Sequence, residues 1–259
     1  MRIATWNING VKARLEALKT WLQQEQPDVV VLQEIKSVDE AFPRSEIEDL
    51  GYNIETHGQK SWNGVAILSK LPIEDVQRGL PGDNDDTQAR LIEGVFSVEG
   101  GAVRVCGIYL PNGNPVDSEK FTYKLAWMDR LIAYCEQRLS LEEPFVLLGD
   151  FNLIPAPVDV HDPEEWWGDA LYRPESLERF RKLMNLGFTD AIRAVTDEPS
   201  YTFWDFQAGA WRRNNGIRID HLLLSPQAAD RLEAAAVHKD VRGWDKPSDH
   251  VPVEATFAF

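Results

Sequence analysis

The sequence predicts an α/β fold, a layered domain built on mixed sheets, and three observations carry that reading. Apolar runs of strand length recur along the chain, helical patterns separate some of them, and short turns join others directly. A pure βαβ series would place a helix after every strand, and this chain does not. No linker rich in Pro, Gly or Ser divides the 259 residues, so a single domain is expected over 1–259.

Taken in order, residues 2–8 (RIATWNI) alternate and run into Asn9-Gly10, a turn signal. Leu15, Leu18 and Leu22 follow at helical spacing, and Pro27-Asp28 closes that helix. Val29-Val30-Val31-Leu32 reads as a strand buried on both faces. Further strands are expected at 64–68, 89–97, 103–110 and 145–148. Between the last two, residues 117–139 form an amphipathic helix with Phe121, Leu125, Met128, Leu131 and Ile132 on one face. A helix begun by Pro174 covers 174–186, and strands return at 217–224 and 250–257.

Hydrophobic residues make up 43%, enough for a full core. The opening Met-Arg-Ile-Ala-Thr-Trp lacks a basic segment followed by an apolar stretch, and no window approaches a membrane span. A cytoplasmic protein without membrane contact is therefore expected, with Cys106 and Cys135 as reduced core thiols. Lys and Arg number 27 against 42 acidic residues, a net charge of −15. Such a balance opposes nucleic-acid binding by overall phosphate neutralisation and leaves it to local patches. Candidates are Trp211-Arg212-Arg213, Lys239 with Arg242 and Lys246, and Lys60 with Arg90. A phosphate-binding Gly-rich loop, a His-Glu-x-x-His pair and a zinc-type cysteine set are all absent. Residues 83–87 space their acids as a calcium loop does, but Gln88 stands where glycine is required, so an acidic loop is expected.

Chemistry gathers at the strand ends. Asn7 and Asn9, Glu34, Tyr109 with Asn112, Asp150 with Asn152, and Asp249-His250 each follow an apolar run, while Asp220 interrupts one. Each alone is ordinary: Asn or Asp after a strand usually serves the turn, and Tyr109 can simply pack. Turns do not explain acids, amides and a histidine at all six places. Phosphodiester hydrolysis needs this set, because negative charge accumulates on phosphate oxygens as water attacks. A hard cation offsets that charge, and Glu34, emerging from a buried strand, suits its principal ligand. Asp150 and Asn152, two apart on an extended segment, face one side and suit activation of the water. His250 can donate to the phosphate if Asp220 fixes its tautomer, with Asn7 and Tyr109 as uncharged donors.

In sequence order these segments resemble the endonuclease/exonuclease/phosphatase superfamily and, within it, the exodeoxyribonuclease III branch. The matching stretches are MRIATWNINGVKARL (1–15), PDVVVLQEIK (27–36), NGVAILSK (63–70), YLPNG (109–113), EKFTYKLAWMDRL (119–131), VLLGDFN (146–152), RIDHLLLS (218–225) and WDKPSDHVPV (244–253). The resemblance implies a four-layer α/β/β/α sandwich of two packed mixed sheets with the site along one rim. It implies Mg2+, with Mn2+ as a substitute, held by Glu34 with Asp249 and Asn9 near it. It assigns Asn7 and Tyr109 to the phosphate, Asp150 with Asn152 to the water, and His250 paired with Asp220 to the phosphate. Substrate contacts are expected at Asn112 and, from the basic patch, at Arg212 and Arg213; the resemblance further implies an aromatic wall at Phe203 and Trp204 within YTFWDF (201–206), although either ring can equally belong to the core. Some relatives carry aspartate where this chain has Asn9, which leaves the metal site more dependent on Glu34. The stretch 112–115 contains no arginine, so the duplex-inserting arginine of the animal relative is absent.

The implied activity is cleavage of double-stranded DNA 5′ to abasic sites, with 3′→5′ exonuclease and 3′-phosphatase action, by a monomer. Two other readings are a superfamily phosphodiesterase of RNA or phospholipid, and a non-catalytic damage-binding protein. The presence of Glu34, Asp150, Asn152, Asp220, Asp249 and His250 speaks against the second of these. The insert at 155–172, with Trp166-Trp167, either tunes the balance of activities or is a surface loop pinned by tryptophans.

Overall fold

Alternate residues of the central strands enter different cores, and this explains their unbroken apolar runs. In the strand Val29–Gln33, Val29 and Val31 point into one cluster of buried side chains while Val30 and Leu32 point into another. The computed structural model describes residues 1–259. Its strands are β1 (Arg2–Asn7), β2 (Val29–Gln33), β3 (Asn53–His57), β4 (Val65–Ser69), β5 (Glu74–Arg78), β6 (Leu91–Val98), β7 (Gly101–Tyr109), β8 (Phe145–Asp150), β9 (Thr189–Asp190), β10 (Asp220–Leu224), β11 (Leu232–Val237) and β12 (Val253–Phe257). The helices are α1 (Leu15–Glu25), α2 (Arg44–Glu48), α3 (Glu119–Leu139), α4 (Pro163–Trp166), α5 (Pro174–Asn185), α6 (Ala191–Val195), α7 (Ala210–Arg213) and α8 (Pro226–Ala229).

The strands form two six-stranded mixed sheets, in the orders β11-β12-β1-β2-β4-β3 and β5-β6-β7-β8-β10-β9. Each has one parallel pair, β1 with β2 and β7 with β8, among antiparallel neighbours. Between the sheets lie Ile3, Val29, Val31, Ile67, Val105, Val146, Leu148 and Leu222. A β-carbon on Gly107 would fall 2.1 Å from Val31 Cγ1, so glycine sets the closeness of the two sheets there. On the outer face of the first sheet α1 packs Leu18, Trp21 and Leu22 over Trp6 and Val30. Outside the second, α3 and α5 pack Trp127, Met128, Leu131, Phe180 and Leu183 over Cys106, Leu147 and Leu223. The order helix, sheet, sheet, helix is the four-layer sandwich expected. Cys106 and Cys135 are buried free thiols, and no helix is long and apolar enough to cross a membrane.

Strands β3, β5 and β11 were not anticipated because each lies at a sheet edge and is only partly buried: β3 and β5 lack an apolar run, and that of β11 is mostly alanine, a poor strand former. The expected strands 217–224 and 250–257 are shorter at their starts: Ile217 makes only isolated bridges, to Val160 and Phe203, and His250 makes one, to Phe203. The 155–172 insert is a surface segment anchored at Asp159, Val160, Ala170 and Leu171, with Trp167 exposed. Its Asp159 is buried in ion pairs with Arg218 at 2.6 Å and with Arg193.

Candidate active site

The ladder register brings the strand-end residues together. Along β8, Asp150 is paired with Tyr109 of β7 on one side and with Asp220 of β10 on the other. Asn7 ends β1, and Glu34 follows β2 in the facing sheet. Glu34 and Asn152 both hold positive φ, 48° and 44°, a strained conformation for side-chain-bearing residues at two of the strand exits.

Asn7 links the two sheets. Its Nδ2 donates to Glu34 Oε1 at 3.0 Å and to Asp150 Oδ2 at 2.9 Å. The Tyr109 hydroxyl donates to the same Glu34 oxygen at 2.9 Å, and Lys36 Nζ lies 2.9 Å from Glu34 Oε2. Burial alone would raise the Glu34 pKa, but the Asn7 hydrogen bond and the Lys36 charge outweigh it and hold the carboxyl below its usual range. The Tyr109 hydroxyl is pushed well above its ordinary value by burial and by the Glu34 and Asp150 charges, so it remains a donor.

His250 Nδ1 is 2.8 Å from Asp220 Oδ2, which also accepts from the Thr202 hydroxyl at 2.6 Å; its Nε2 faces Asp150 Oδ2 at 3.7 Å. Burial opposes charge on this imidazole, yet Asp220 and Asp150 overcome it and raise His250 to about 10. Burial pushes Asp150 up, to about 7, with the His250 charge opposing and the Asp220 charge reinforcing. The site thus holds a carboxylate near neutrality beside an imidazolium oriented by a second carboxylate, a pairing suited to moving one proton and donating another.

These groups open into one cavity of about 290 Å3, lined by Glu34, Tyr109, Asn112, Asp150, Asn152, Asp249 and His250. Phe203, Leu171, Ile219, Trp166, Asn114, Asp169 and Asp205 complete its wall. The donor set suits a hard divalent cation, since Glu34 and Asp249 both bring carboxylate oxygens to the cavity lining. Asp150, Asp220 and His250 also place ligand atoms within 4.8 Å of one another. There His250 Nδ1 is bonded to Asp220 while Nε2 faces Asp150, and we read that trio as a hydrogen-bonded relay.

Asn9 lies one step behind the cavity: its Nδ2 donates to Asp249 Oδ1 at 2.9 Å and its Oδ1 accepts from Lys36 at 2.6 Å. It orients Asp249. Asn112 donates to Asn152 Oδ1 at 3.1 Å. Phe203 stands at the wall with its ring 5.0 Å from His250. Trp204 corrects the expectation of a paired wall. It is fully buried in the core against Trp211, because neighbours on an extended segment point opposite ways. Arg212 and Arg213 are exposed on α7, and Arg213 lines an adjoining cavity that shares Phe203 and Trp166 with the first. Arg242 and Arg90 do not form surface patches: Arg242 is buried on the Trp204 carbonyl, and Arg90 stacks 4.9 Å above the Tyr109 ring.

Sequence reasoning missed Lys36, Thr202 and Asp169. Lys36 had a local signal, two residues beyond Glu34. Asp169 had none: it accepts from Asn114, 55 positions away.

The sequence profile of the endonuclease/exonuclease/phosphatase family matches residues 4–250. The chain is 35% identical to exodeoxyribonuclease III of Haemophilus influenzae, over 99% of this chain and 100% of that one. It superimposes with a TM-score of 0.96 and 38% identity on the 3′-5′ exonuclease of Neisseria meningitidis, covering 100% of both chains. A Neisseria 3′ phosphatase bound to a product DNA hairpin matches equally well. An AP endonuclease from Archaeoglobus fulgidus gives a TM-score of 0.95 at 34% identity, again over 100% of both chains. The relay at Asp150, the Glu34 wall and these full-length matches agree: the chain belongs to the endonuclease/exonuclease/phosphatase family, among its exodeoxyribonuclease III-type nucleases.

Proposed function

We propose that the protein is a Mg2+-dependent hydrolase of phosphodiesters in double-stranded DNA, acting 5′ to abasic sites and at 3′ ends. The observation that carries this reading is the single cavity in which Glu34, Asp150 and His250 converge. Asp150, held by Asn7 and by the Asn152 backbone N–H at 2.8 Å, accepts the proton of the attacking water. Asn152 and Asn112 steady that water and the phosphate with their amides. His250, fixed by Asp220, presents its Nε2–H to a phosphate oxygen where charge develops. Mg2+, or Mn2+ in its place, supplies Lewis-acid charge at the phosphate and would be held by Glu34 and Asp249. Phe203, Leu171 and Ile219 give an apolar surface that suits a sugar without its base. Endonuclease, exonuclease and 3′-phosphatase action share this one step, water attacking phosphorus beside a 3′ oxygen. The site is complete within one chain, which supports action as a monomer, and the free core thiols Cys106 and Cys135 fit a reducing compartment such as the cytoplasm.

The test is a gel assay with an abasic duplex beside an intact duplex bearing a recessed 3′ end. Incision and 3′ shortening with Mg2+, both abolished by chelator, are expected. Turnover of RNA or a lipid phosphodiester with neither DNA cut would overturn the reading.

The charge of −15 places DNA affinity on local contacts. Replacing Arg212 and Arg213 together by alanine is expected to weaken duplex binding and to flatten the salt dependence by about two counterions. Fluorescence anisotropy across a salt series checks this, and an unchanged slope would move the phosphate contacts elsewhere.

A further inference from the structure

Helix α3 sends one charged side chain inward. Lys124 is fully buried, and its Nζ donates to the backbone carbonyls of Asn112 at 3.0 Å and Asn152 at 2.6 Å. Burying an amine among carbonyls is costly, and a methionine of similar shape would fill the space without that desolvation. Burial pulls the amine down to about 7, with Asp169 and Asp150 opposing. Charged or neutral, it keeps at least two N–H donors for the two carbonyls.

The carbonyls it joins belong to the two loops that carry amides into the cavity. Asn112 lies just past the end of β7, and Asn152 lies just past the end of β8. Past the Leu110 N–H to Asp150 carbonyl bond at 2.9 Å that extends the ladder, the loops meet through side chains, Asn112 Nδ2 to Asn152 Oδ1 and Asn152 Nδ2 to the Leu110 carbonyl at 2.9 Å. Asn152 sits at positive φ, so something must hold it there. The chain also fits closely over the lysine stem. Gly113 has φ 88°, and a β-carbon on it would fall 2.6 Å from Lys124 Cδ.

We propose that Lys124 is a positioning residue for the hydrolytic step: by clamping the Asn112 and Asn152 carbonyls together it keeps the Asn152 amide aimed beside Asp150. A lysine serving stability alone would leave the same contacts, so the test must separate the two roles. This inference rests on the nuclease reading for its kinetic arm only.

The full-length enzyme with Mg2+ is assayed on an abasic duplex as wild type, Lys124→Met, Asn152→Ala and the double variant. Lys124→Met is expected to lower kcat about 30- to 100-fold, since displacements near 1 Å cost that much, with KM changed less than about threefold. In the Asn152→Ala background the same replacement is expected to add less than about threefold, because it acts through that amide. An unchanged kcat, a loss confined to KM, or effects that multiply would overturn the proposal. Should Lys124→Met not fold, Gly113→Ala carries the test, since its methyl strikes the same clamp. The same non-additive kcat loss is expected of it, and unchanged kcat overturns. If the wild type cuts no DNA, the nuclease reading fails rather than this one, and hydrogen exchange decides. Amides of 110–114 and 151–154 are expected to exchange about tenfold faster in Lys124→Met, and equal protection overturns the clamp.

Discussion

Asp150→Asn is expected to lower kcat about a thousandfold while leaving duplex affinity intact, the middle of the range for removing a general base. The side chain is almost fully buried and hydrogen-bonded to Asn7 and the Asn152 N–H, so the amide keeps the shape and loses the proton acceptor. Wild-type kcat/KM should also carry two limbs. Burial raises Asp150 to about 7, and it works deprotonated, so activity climbs as pH rises through neutrality. Asp220 and Asp150 raise His250 to about 10 against the effect of burial, and it works protonated, so activity falls as pH passes that value. Single-turnover cleavage from pH 5 to 11 checks both signs. Asp150→Asn should lose the rising limb in its residual activity; if that limb persists, the base is elsewhere.

Glu34→Gln is expected to raise the Mg2+ concentration for half-maximal turnover at least about tenfold and to lower saturated kcat about a hundredfold. Asn7 and Lys36 hold this carboxyl ionised in spite of burial, so wild type meets a cation without first shedding a proton. Glutamine keeps acceptors for Asn7 and Tyr109 but removes the charge that neutralises Lys36 and attracts the cation. Titrating turnover against Mg2+ measures both quantities. Undiminished Mg2+-dependent turnover would shift the cation to the cluster of Asp150, Asp220 and His250.

Central strands and their polar exits were legible because both signals are local. Val29–Gln33 reads as doubly buried from its own composition, and Asn9-Gly10 turns at φ 46° and 97° as the dipeptide suggests. Edge strands were not legible, since β5 and β11 face water along much of their length, β5 carrying no apolar run and β11 one made mostly of alanine. The same limit separates Phe203 from Trp204. Adjacent aromatics on extended chain must point to opposite sides, but only packing says which side is the cavity. Arg242 illustrates it again: grouped by sequence with Lys239 and Lys246, it lies buried on the Trp204 carbonyl.

By itself, then, the sequence determined the layered α/β class, the strands that reach the rim, and the chemical types waiting at their ends. Tertiary structure alone decided which of those groups touch. Asn7 meets Asp150 across 143 positions because the two sheets stack face to face, and Asp220 stands beside Asp150 through the register of β10 on β8. Lys124, in a helical pattern that gave no sign of chemistry, meets both amide-bearing loops. The physical reason is range: propensity and burial period act over a few residues, whereas contacts between distant strand ends depend on register and sheet packing.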